Sequence, residues 1–291
     1  MKVVVTGANG QLGRELMRAR WPRGTELVGW SSSELDITRA DVVRARFEEI
    51  GPDVIVNAAA YTKVDLAEDE PDRARSVNAT AVGNLATAAD ASDALLIHVS
   101  TDYVFDGSKE GWYVEDDPIA PLGVYGATKA DGEKEALAAR RSLVLRTAWV
   151  YGALGSNFVT TMLRLGAERD ELGVVADQWG CPTSAADIAH AIVELVTIER
   201  SGGLEHRLFH VAAPDDTSWH RFATTIFELS SAGFSGSCNP LTTAEYPTRA
   251  RRPANSRLAT DRLAETLGHR LPPWRASLAA VISELEASGR G

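Results

Sequence analysis

Residues 2–13, Lys2-Val3-Val4-Val5-Thr6-Gly7-Ala8-Asn9-Gly10-Gln11-Leu12-Gly13, decide the fold. Residues 2–6 are an apolar, mostly β-branched run. A glycine turn follows, and residues 11–20 then take helical spacing. Buried strand, tight turn, helix is the simplest reading. Gly7, Gly10 and Gly13 are spaced GxxGxxG. Glycine tolerates positive φ and lets the backbone approach a ligand. The helix after it offers unpaired amides and a positive dipole end to a pyrophosphate. A glycine pattern alone is weak evidence. This one follows a strand and opens a helix, the context a dinucleotide turn requires. A tight turn without a ligand is the alternative.

Working outward, apolar runs at residues 26–30, 53–57 (DVIVN), 94–99 (ALLIHV) and 142–146 (SLVLR) read as further strands. Helix-compatible stretches lie at 39–50, 71–91 and 128–139. The alternation implies parallel strands with helical crossovers, an α/β doubly wound sheet of the Rossmann type. After about Trp149 the pattern loosens. Residues 157–170, 183–198 (capped by Thr183 or Ser184), 218–229 and 278–287 read as helix, 172–175 and 208–211 as extended. Residues 230–255, rich in glycine, proline, threonine and arginine, read as loop. The expected organisation is a nucleotide-binding domain over 1–150 and a smaller α/β substrate domain over 151–291. Elements at about 183–213 are expected to return to the first.

Bulk properties narrow the function. The chain has 291 residues, 40 acids and 30 bases, a net charge of −10. Nucleic acid and anionic membranes are poor partners for such a chain. No stretch has transmembrane length, and the apolar run at the N-terminus is too short for a signal peptide. Cys181 and Cys238 are the two cysteines, without CxxC spacing. They point to reduced thiols in a cytoplasm rather than to a disulfide or a zinc site.

Around the turn, several residues are candidates for cofactor contact. Asp36, followed by Ile37, could accept hydrogen bonds from adenine or cap the next helix; the local pattern does not choose. The second strand ends in Trp30-Ser31-Ser32-Ser33, with no acid for a ribose 2′-hydroxyl and no arginine for a 2′-phosphate. Arg14 could reach a phosphate, though a solvated helix face is the commoner use. The balance favours NADPH, with NADH as an alternative. The third strand runs into Ala58-Ala59-Ala60-Tyr61-Thr62, small enough to lie along a flat cofactor or to pack a helix closely.

The sharpest chemical signal is Tyr125-Gly126-Ala127-Thr128-Lys129. Residues i and i+4 share a helix face. An ammonium beside a phenol favours the phenolate and lowers its pKa, which suits tyrosine to acid–base work. YxxxK strings are common on surfaces. Here Ser100-Thr101-Asp102 stands at the carboxyl end of the fourth strand, where ligands bind in open α/β sheets.

Together these motifs resemble the extended short-chain dehydrogenase/reductase superfamily. NAAAYTKVDLAE (57–68), STDYVFDG (100–107), APLGVYGATKADGE (120–133), RTAWVYG (146–152) and ARRPANSRL (250–258) are similar to the dTDP-4-dehydrorhamnose reductase family over nearly the whole chain. The resemblance implies NAD(P)H-dependent reduction of the C4 ketone of dTDP-4-dehydro-β-L-rhamnose. Thr101 would polarise the carbonyl and Tyr125 protonate it. Lys129 would bind the nicotinamide ribose and depress the tyrosine pKa. Cofactor contacts would fall on Gly10, Gln11, Leu12, Asp36, Ile37, Ala60, Tyr61 and Thr62, beside Gly7, Gly13 and Ala58, and on Tyr125 and Lys129. Substrate contacts would fall on Thr101, Asp102 and Trp149. Asn78 matches a helix asparagine that organises active-site backbone and water. Arg249, Arg251, Arg252 and Arg257 gather on an acidic chain; guanidinium forks suit a diphosphate, and Arg251 or Arg252 is the candidate.

Several neighbouring functions are disfavoured. Sugar-nucleotide dehydratases carry TDE after the fourth strand, where this chain has Thr101-Asp102-Tyr103. Metal-bridged dimers in the family use glutamates. Glu15 fits one position, but Ala186 stands at another, so no metal and a monomer or weak homodimer are expected. His206 and His210, four apart, lie in strand-like sequence without a following glutamate, so zinc is not expected. His98, inside a strand, reads as a packed core histidine. Other readings are a ketoreductase of a related dTDP-4-keto-6-deoxysugar, using the same triad, and an NADP-binding regulatory subunit. Retention of Thr101, Tyr125, Lys129 and Trp149 argues against the regulatory subunit.

Overall fold

β1 (Lys2–Thr6) buries Val3, Val4 and Val5 completely, because it is an interior strand, paired on both sides, of a sheet covered on both faces. The structure, a computed structural model, describes residues 1–289. After β1 come α1 (Gln11–Arg18), β2 (Glu26–Trp30), α2 (Ala40–Ile50), β3 (Val54–Asn57), two short helices α3 (Val64–Ala67) and α4 (Pro71–Arg75), and α5 (Ala81–Ser92). Then follow β4 (Leu95–Thr101), α6 (Val124–Ala138), β5 (Ser142–Thr147), β6 (Val150–Tyr151), α7 (Phe158–Glu168), β7 (Glu171–Val175), β8 (Trp179–Gly180), β9 (Thr183–Ser184), α8 (Ala185–Arg200) and β10 (Leu208–His210). The chain continues through β11 (Thr217–Ser218), α9 (Trp219–Leu229), β12 (Ser237–Leu241), β13 (Asn255–Ser256), α10 (Asp261–Leu267) and α11 (Trp274–Ala287).

Six strands form one parallel sheet in the order β10-β5-β4-β3-β1-β2. This is the doubly wound α/β architecture expected from the alternation. The order reverses between β1 and β3, so a crevice opens there beyond the strand ends. α1 and α8 cover one face through Leu12, Leu16, Ile188, Ile192 and Leu195. On the other face α2, α5 and α6 contribute Val43, Phe47, Val82, Leu85 and Ala136. β10 pairs with β5, and α8 shares the core of the main sheet. A separate cluster gathers Tyr151, Phe222, Ile226 and Leu278 from β6, α9 and α11.

Three segments differ from the sequence reading. The stretch 71–91 is not one helix: a π-helical turn, Ser76–Thr80, separates α4 from α5. Asn78 on that turn is buried and turns its amide to the Tyr61 backbone; such insertions cluster at functional sites. The supposed loop 230–255 contains β12, which pairs in parallel with β7. Pro240 is tolerated because β12 and β7 make a two-stranded sheet with open edges. α6 begins at Val124, a turn earlier than its spacing suggests, because the Glu68 carboxylate accepts from the Val124 amide at 2.8 Å. His210 lies within β10, buried, with its Nδ1 3.1 Å from the Ala259 carbonyl. Among the described residues, no helix is long and apolar enough to cross a membrane.

Candidate active site

The phosphate turn is built by contact. Gly7 has φ +72°, and a Cβ there would lie 2.7 Å from the Ala59 nitrogen. β1 and β3 therefore meet at their ends with no room for a side chain. A Cβ on Gly13 would run into the Gly7 carbonyl oxygen, so α1 rests directly on the turn. Gly10 precedes α1 without a side-chain cap, which leaves the first helix amides open for an anion. Gln11 Oε1 is buried and unpartnered. Leu12 is buried against the sheet. A glycine cradle, open amides and an orphaned polar atom together fit a dinucleotide.

At the neighbouring strand ends, Ala58 and Ala60 are half-buried, Tyr61 is buried and Thr62 exposed. Asn78 clamps this segment: its Oδ1 accepts from the Tyr61 amide at 2.8 Å, and its Nδ2 donates to the Tyr61 carbonyl at 3.1 Å and to Thr128 at 3.2 Å. Asp36 closes a turn by accepting from the Thr38 amide and hydroxyl at 3.0 and 2.7 Å. It does not cap α2, whose N-cap is Arg39. Ile37 is buried beside Trp30 and Phe47. Arg14 Nε donates to the Asn9 carbonyl at 3.0 Å, folding over the turn.

Glu34 was missed by the sequence reading. Its carboxylate returns to the end of β2, accepting from the Ser31 amide at 2.9 Å and hydroxyl at 2.6 Å. The signal was present as Ser-x-x-Glu over 31–34, the spacing of a reciprocal turn cap.

Thr101 ends β4 and α6 is pressed against it. Cβ atoms on Gly126 and Gly132 would collide with the Tyr103 and Asn78 carbonyls, so these glycines set how closely α6 approaches. Tyr125 packs edge-on to Tyr103, ring centroids 5.4 Å apart. Burial pushes the Tyr125 phenol above its usual range, while a hydrogen bond with Thr101 acts in the opposite sense. Thr101 Oγ1 donates to Asp102 at 2.9 Å. Asp102 is 2% exposed and its Oδ2 has no partner; burial raises its pKa to about 6.

Lys129 shares the Tyr125 face of α6 but is turned away from the phenol. Its Nζ donates to the Val99 carbonyl at 2.6 Å and lies 3.3 Å from His98 Nε2. Burial lowers its pKa to about 8. The expected depression of the Tyr125 pKa is therefore corrected: desolvation outweighs the other influences and the phenol is a weaker acid than usual. Behind this pair Glu133 binds Arg146 in a buried ion pair and accepts from Ser100 at 2.6 Å. Neither residue was singled out from sequence.

Trp149 has φ +48°, a strained backbone for a bulky residue. Its indole stacks on Trp219 at 3.6 Å and donates to Ser256 at 3.1 Å; one face is therefore taken by another tryptophan. Beside it opens a cavity of about 390 Å³ lined by Phe158, Met162, Leu172, Trp219, Tyr246 and Arg252 among others. Arg252 binds Asp65 at 2.9 Å, while its Nε is buried and unpartnered. Arg249 pairs with Asp69 and Arg257 with Asp216. Arg251 is exposed. The structure thus separates the two arginine candidates: Arg252 lines the cavity and Arg251 faces outward. Among the described residues no three His, Cys, Asp or Glu side chains converge as a metal site would need.

The family described as the RmlD substrate binding domain matches residues 1–287. A dTDP-4-dehydrorhamnose reductase of Burkholderia thailandensis is 42% identical, covering 98% of this chain and 99% of that protein. The crystal structure of a dTDP-4-dehydrorhamnose reductase from Clostridium acetobutylicum superposes with a TM-score of 0.92, at 40% identity over 98% of this chain and all of that one. A dTDP-4-dehydrorhamnose reductase from Bacillus anthracis in complex with NADP gives 0.91, at 37% identity over 97% of this chain and 99% of that one.

Proposed function

Since the chain belongs to the RmlD substrate binding domain family, we propose that it reduces the C4 ketone of dTDP-4-dehydro-β-L-rhamnose to dTDP-L-rhamnose. It is an oxidoreductase acting on a sugar nucleotide, and its cofactor is NADPH, with NADH the alternative. The observation that carries the mechanism is the placement of Tyr125 and Lys129 on one face of α6, against Thr101 at the carboxyl end of β4.

Gly7, Gly10, Gly13 and the open amides of α1 hold the pyrophosphate. Ala58, Ala60, Tyr61 and Thr62, fixed by Asn78, border the dinucleotide, with Asp36 and Ile37 toward the adenine. The reduced nicotinamide, when bound, supplies the hydride. Thr101 donates to the ketone oxygen. Tyr125 gives that oxygen its proton, and its raised pKa keeps it protonated until the substrate draws the proton away. Lys129, one turn along the same face, would turn to the nicotinamide ribose and from there offset the negative charge left on Tyr125. Without substrate the Thr101 hydroxyl donates to Asp102, and its single proton turns to the ketone oxygen when substrate binds. Arg252 offers its unpartnered Nε to the diphosphate, and Trp149 closes the sugar side.

The test is NADPH oxidation with dTDP-4-dehydrorhamnose, NADH in parallel, and Tyr125→Phe as control. Turnover to dTDP-L-rhamnose, lower in the variant by about 10²–10⁴-fold with cofactor binding kept, is expected. A Tyr125→Phe enzyme as fast as the parent removes the tyrosine from this role. Cofactor binding without turnover turns attention to another 4-ketosugar, then to the regulatory-subunit reading.

A further inference from the structure

His98 sits in the middle of β4 with no exposed surface, and its ring joins two polar chains. Nδ1 lies 3.0 Å from Asn57 Nδ2, and Nε2 lies 3.3 Å from Lys129 Nζ. Asn57, Lys129 and Thr6 are likewise buried. Nothing in the reaction proposed above uses this histidine.

The hydrogen positions follow from one backbone group. The Ala59 amide, which can only donate, points at Asn57 Oδ1 at 3.2 Å, and Thr6 Oγ1 donates to the same oxygen at 2.7 Å. Asn57 therefore presents its NH₂ to His98, and Nδ1 must accept. The ring is neutral, since burial and the nearby Lys129 charge both hold its pKa well below the ordinary value. A neutral imidazole whose Nδ1 accepts carries its proton on Nε2. That N–H faces Lys129.

An ammonium has three N–H donors and no lone pair. Two donors facing each other at 3.3 Å oppose the charged form of Lys129. The neutral amine can accept from Nε2–H while still donating to the Val99 carbonyl. Relief by the other tautomer would require Asn57 to flip, which sets its NH₂ against the Ala59 amide; Thr6 could reverse and accept, but the backbone N–H could not. We infer that His98 is a positioning residue for Lys129: through the tautomer set by Asn57 it disfavours the ammonium and fixes the pH at which this lysine changes charge.

The other groups around Lys129 do not substitute for it. Glu133, one turn on in α6, favours the ammonium but is held by Arg146 of β5 and Ser100 of β4. Tyr125 is one turn earlier in α6. The polar side chains nearby on the π-helical turn and on β3 are neutral: Asn78, held by the Tyr61 backbone and Thr128, and Asn57, held by His98, Thr6 and Ala59. Gly132 leaves the ring its space: a Cβ there would lie 3.3 Å from His98 Nε2. The effect is to poise a buried lysine near the ambient pH, where a group in the proton path works best.

The inference rests on Lys129 acting in the reduction proposed above, and its test keeps the two apart. In protein carrying ¹⁵N-labelled histidine, the His98 signal, assigned by its loss in His98→Asn, is expected to show a protonated Nε2 and a bare Nδ1 at neutral and mildly alkaline pH. A ring protonated on Nδ1 overturns the inference, and no substrate is needed to see it. The second readout is the pH dependence of kcat with NADPH and the ketosugar. Asparagine at 98 can still accept from Asn57 with its Oδ1, but its side chain is shorter than the imidazole and its NH₂ stops short of Lys129, so the alkaline limb should move up by about one pH unit. A limb that stays in place, whatever the rate, overturns the inference. If His98→Asn does not fold, Asn57→Asp serves instead. A carboxylate cannot donate to Nδ1, so the ring proton moves there, and the ¹⁵N spectrum reads that move directly; a ring still protonated on Nε2 overturns the inference. Lys129→Met reports on the underlying reading alone: parental turnover with an unchanged alkaline limb removes Lys129 from the reaction and leaves the tautomer measurement standing.

Discussion

The Glu133 carboxylate holds the Arg146 guanidinium through two hydrogen bonds, 2.9 Å from Nε and 2.8 Å from Nη2, with both side chains 5% exposed. The pair ties α6, which carries Tyr125 and Lys129, to β5. It also draws in β4, because Ser100 donates to the same carboxylate.

Removing one member leaves a buried, uncompensated charge, which costs about 3–5 kcal/mol. Arg146→Met or Glu133→Gln should therefore lower the denaturation midpoint sharply. The double replacement should be milder than the sum of the two. Chemical denaturation of all four proteins checks this, and strictly additive losses would show that the two groups act independently.

Gly132 gives a prediction whose sign is informative. Alanine in a helix interior normally gains about 1 kcal/mol over glycine. Here its Cβ would strike the Asn78 carbonyl, and overpacking costs about 1–3 kcal/mol. Gly132→Ala should destabilise the protein and lower kcat more than it raises either KM, because it pushes α6 off the π-helical turn. A stabilised, fully active variant would mean that α6 has slack at this point.

Asp102 makes stability depend on pH in an unusual direction. Its pKa is raised from 3.8 to about 6, first by burial. Between those values the folded chain holds a proton that the unfolded chain has released, so this group's contribution falls as pH rises through the window. The shift corresponds to about 3 kcal/mol. Asp102→Asn should be more stable than the parent near neutral pH by about 2 kcal/mol, the advantage fading toward pH 4. Thermal melts at both pH values measure it; an advantage independent of pH would point to packing instead. The same variant should lose activity if the charge directs Thr101.

Arg252 and Arg251 should differ in kinetics. Arg252 lines the cavity with a buried, unpartnered Nε, whereas Arg251 is exposed. Arg252→Met should raise KM for the nucleotide sugar by about 10-fold or more, as expected for loss of a charged hydrogen bond. KM for NADPH should be unchanged. Arg251→Met should be close to the parent. Equal effects from the two would mean that neither is selective for the diphosphate.

Much of the fold was legible because the signals are local. A buried β-branched run, three glycines and helical spacing lie within a dozen residues, and the same alternation recurs to Arg146. Spacing by four puts Tyr125 and Lys129 on one helix face. Other features depend on partners far along the chain. Residues 71–91 look like one helix until Asn78 meets the Tyr61 backbone. Residues 230–255 look like loop until β12 finds β7. Glu34 was hidden within a serine run whose turn had to be closed before its carboxylate had a place.

The sequence by itself determined the doubly wound sheet, the phosphate turn and the helix face shared by Tyr125 and Lys129, because periodicity and glycine placement act over one or two turns of chain. The tertiary structure alone decided the proton arrangement. Whether Lys129 meets Tyr125, Val99 or His98 depends on how closely α6 approaches β4. That distance is set by Gly126 against Tyr103, Gly132 against Asn78, and Glu133 against Arg146. Burial then fixes the charges, raising Tyr125 and Asp102 and lowering Lys129, because desolvation belongs to the packed molecule and to no residue alone.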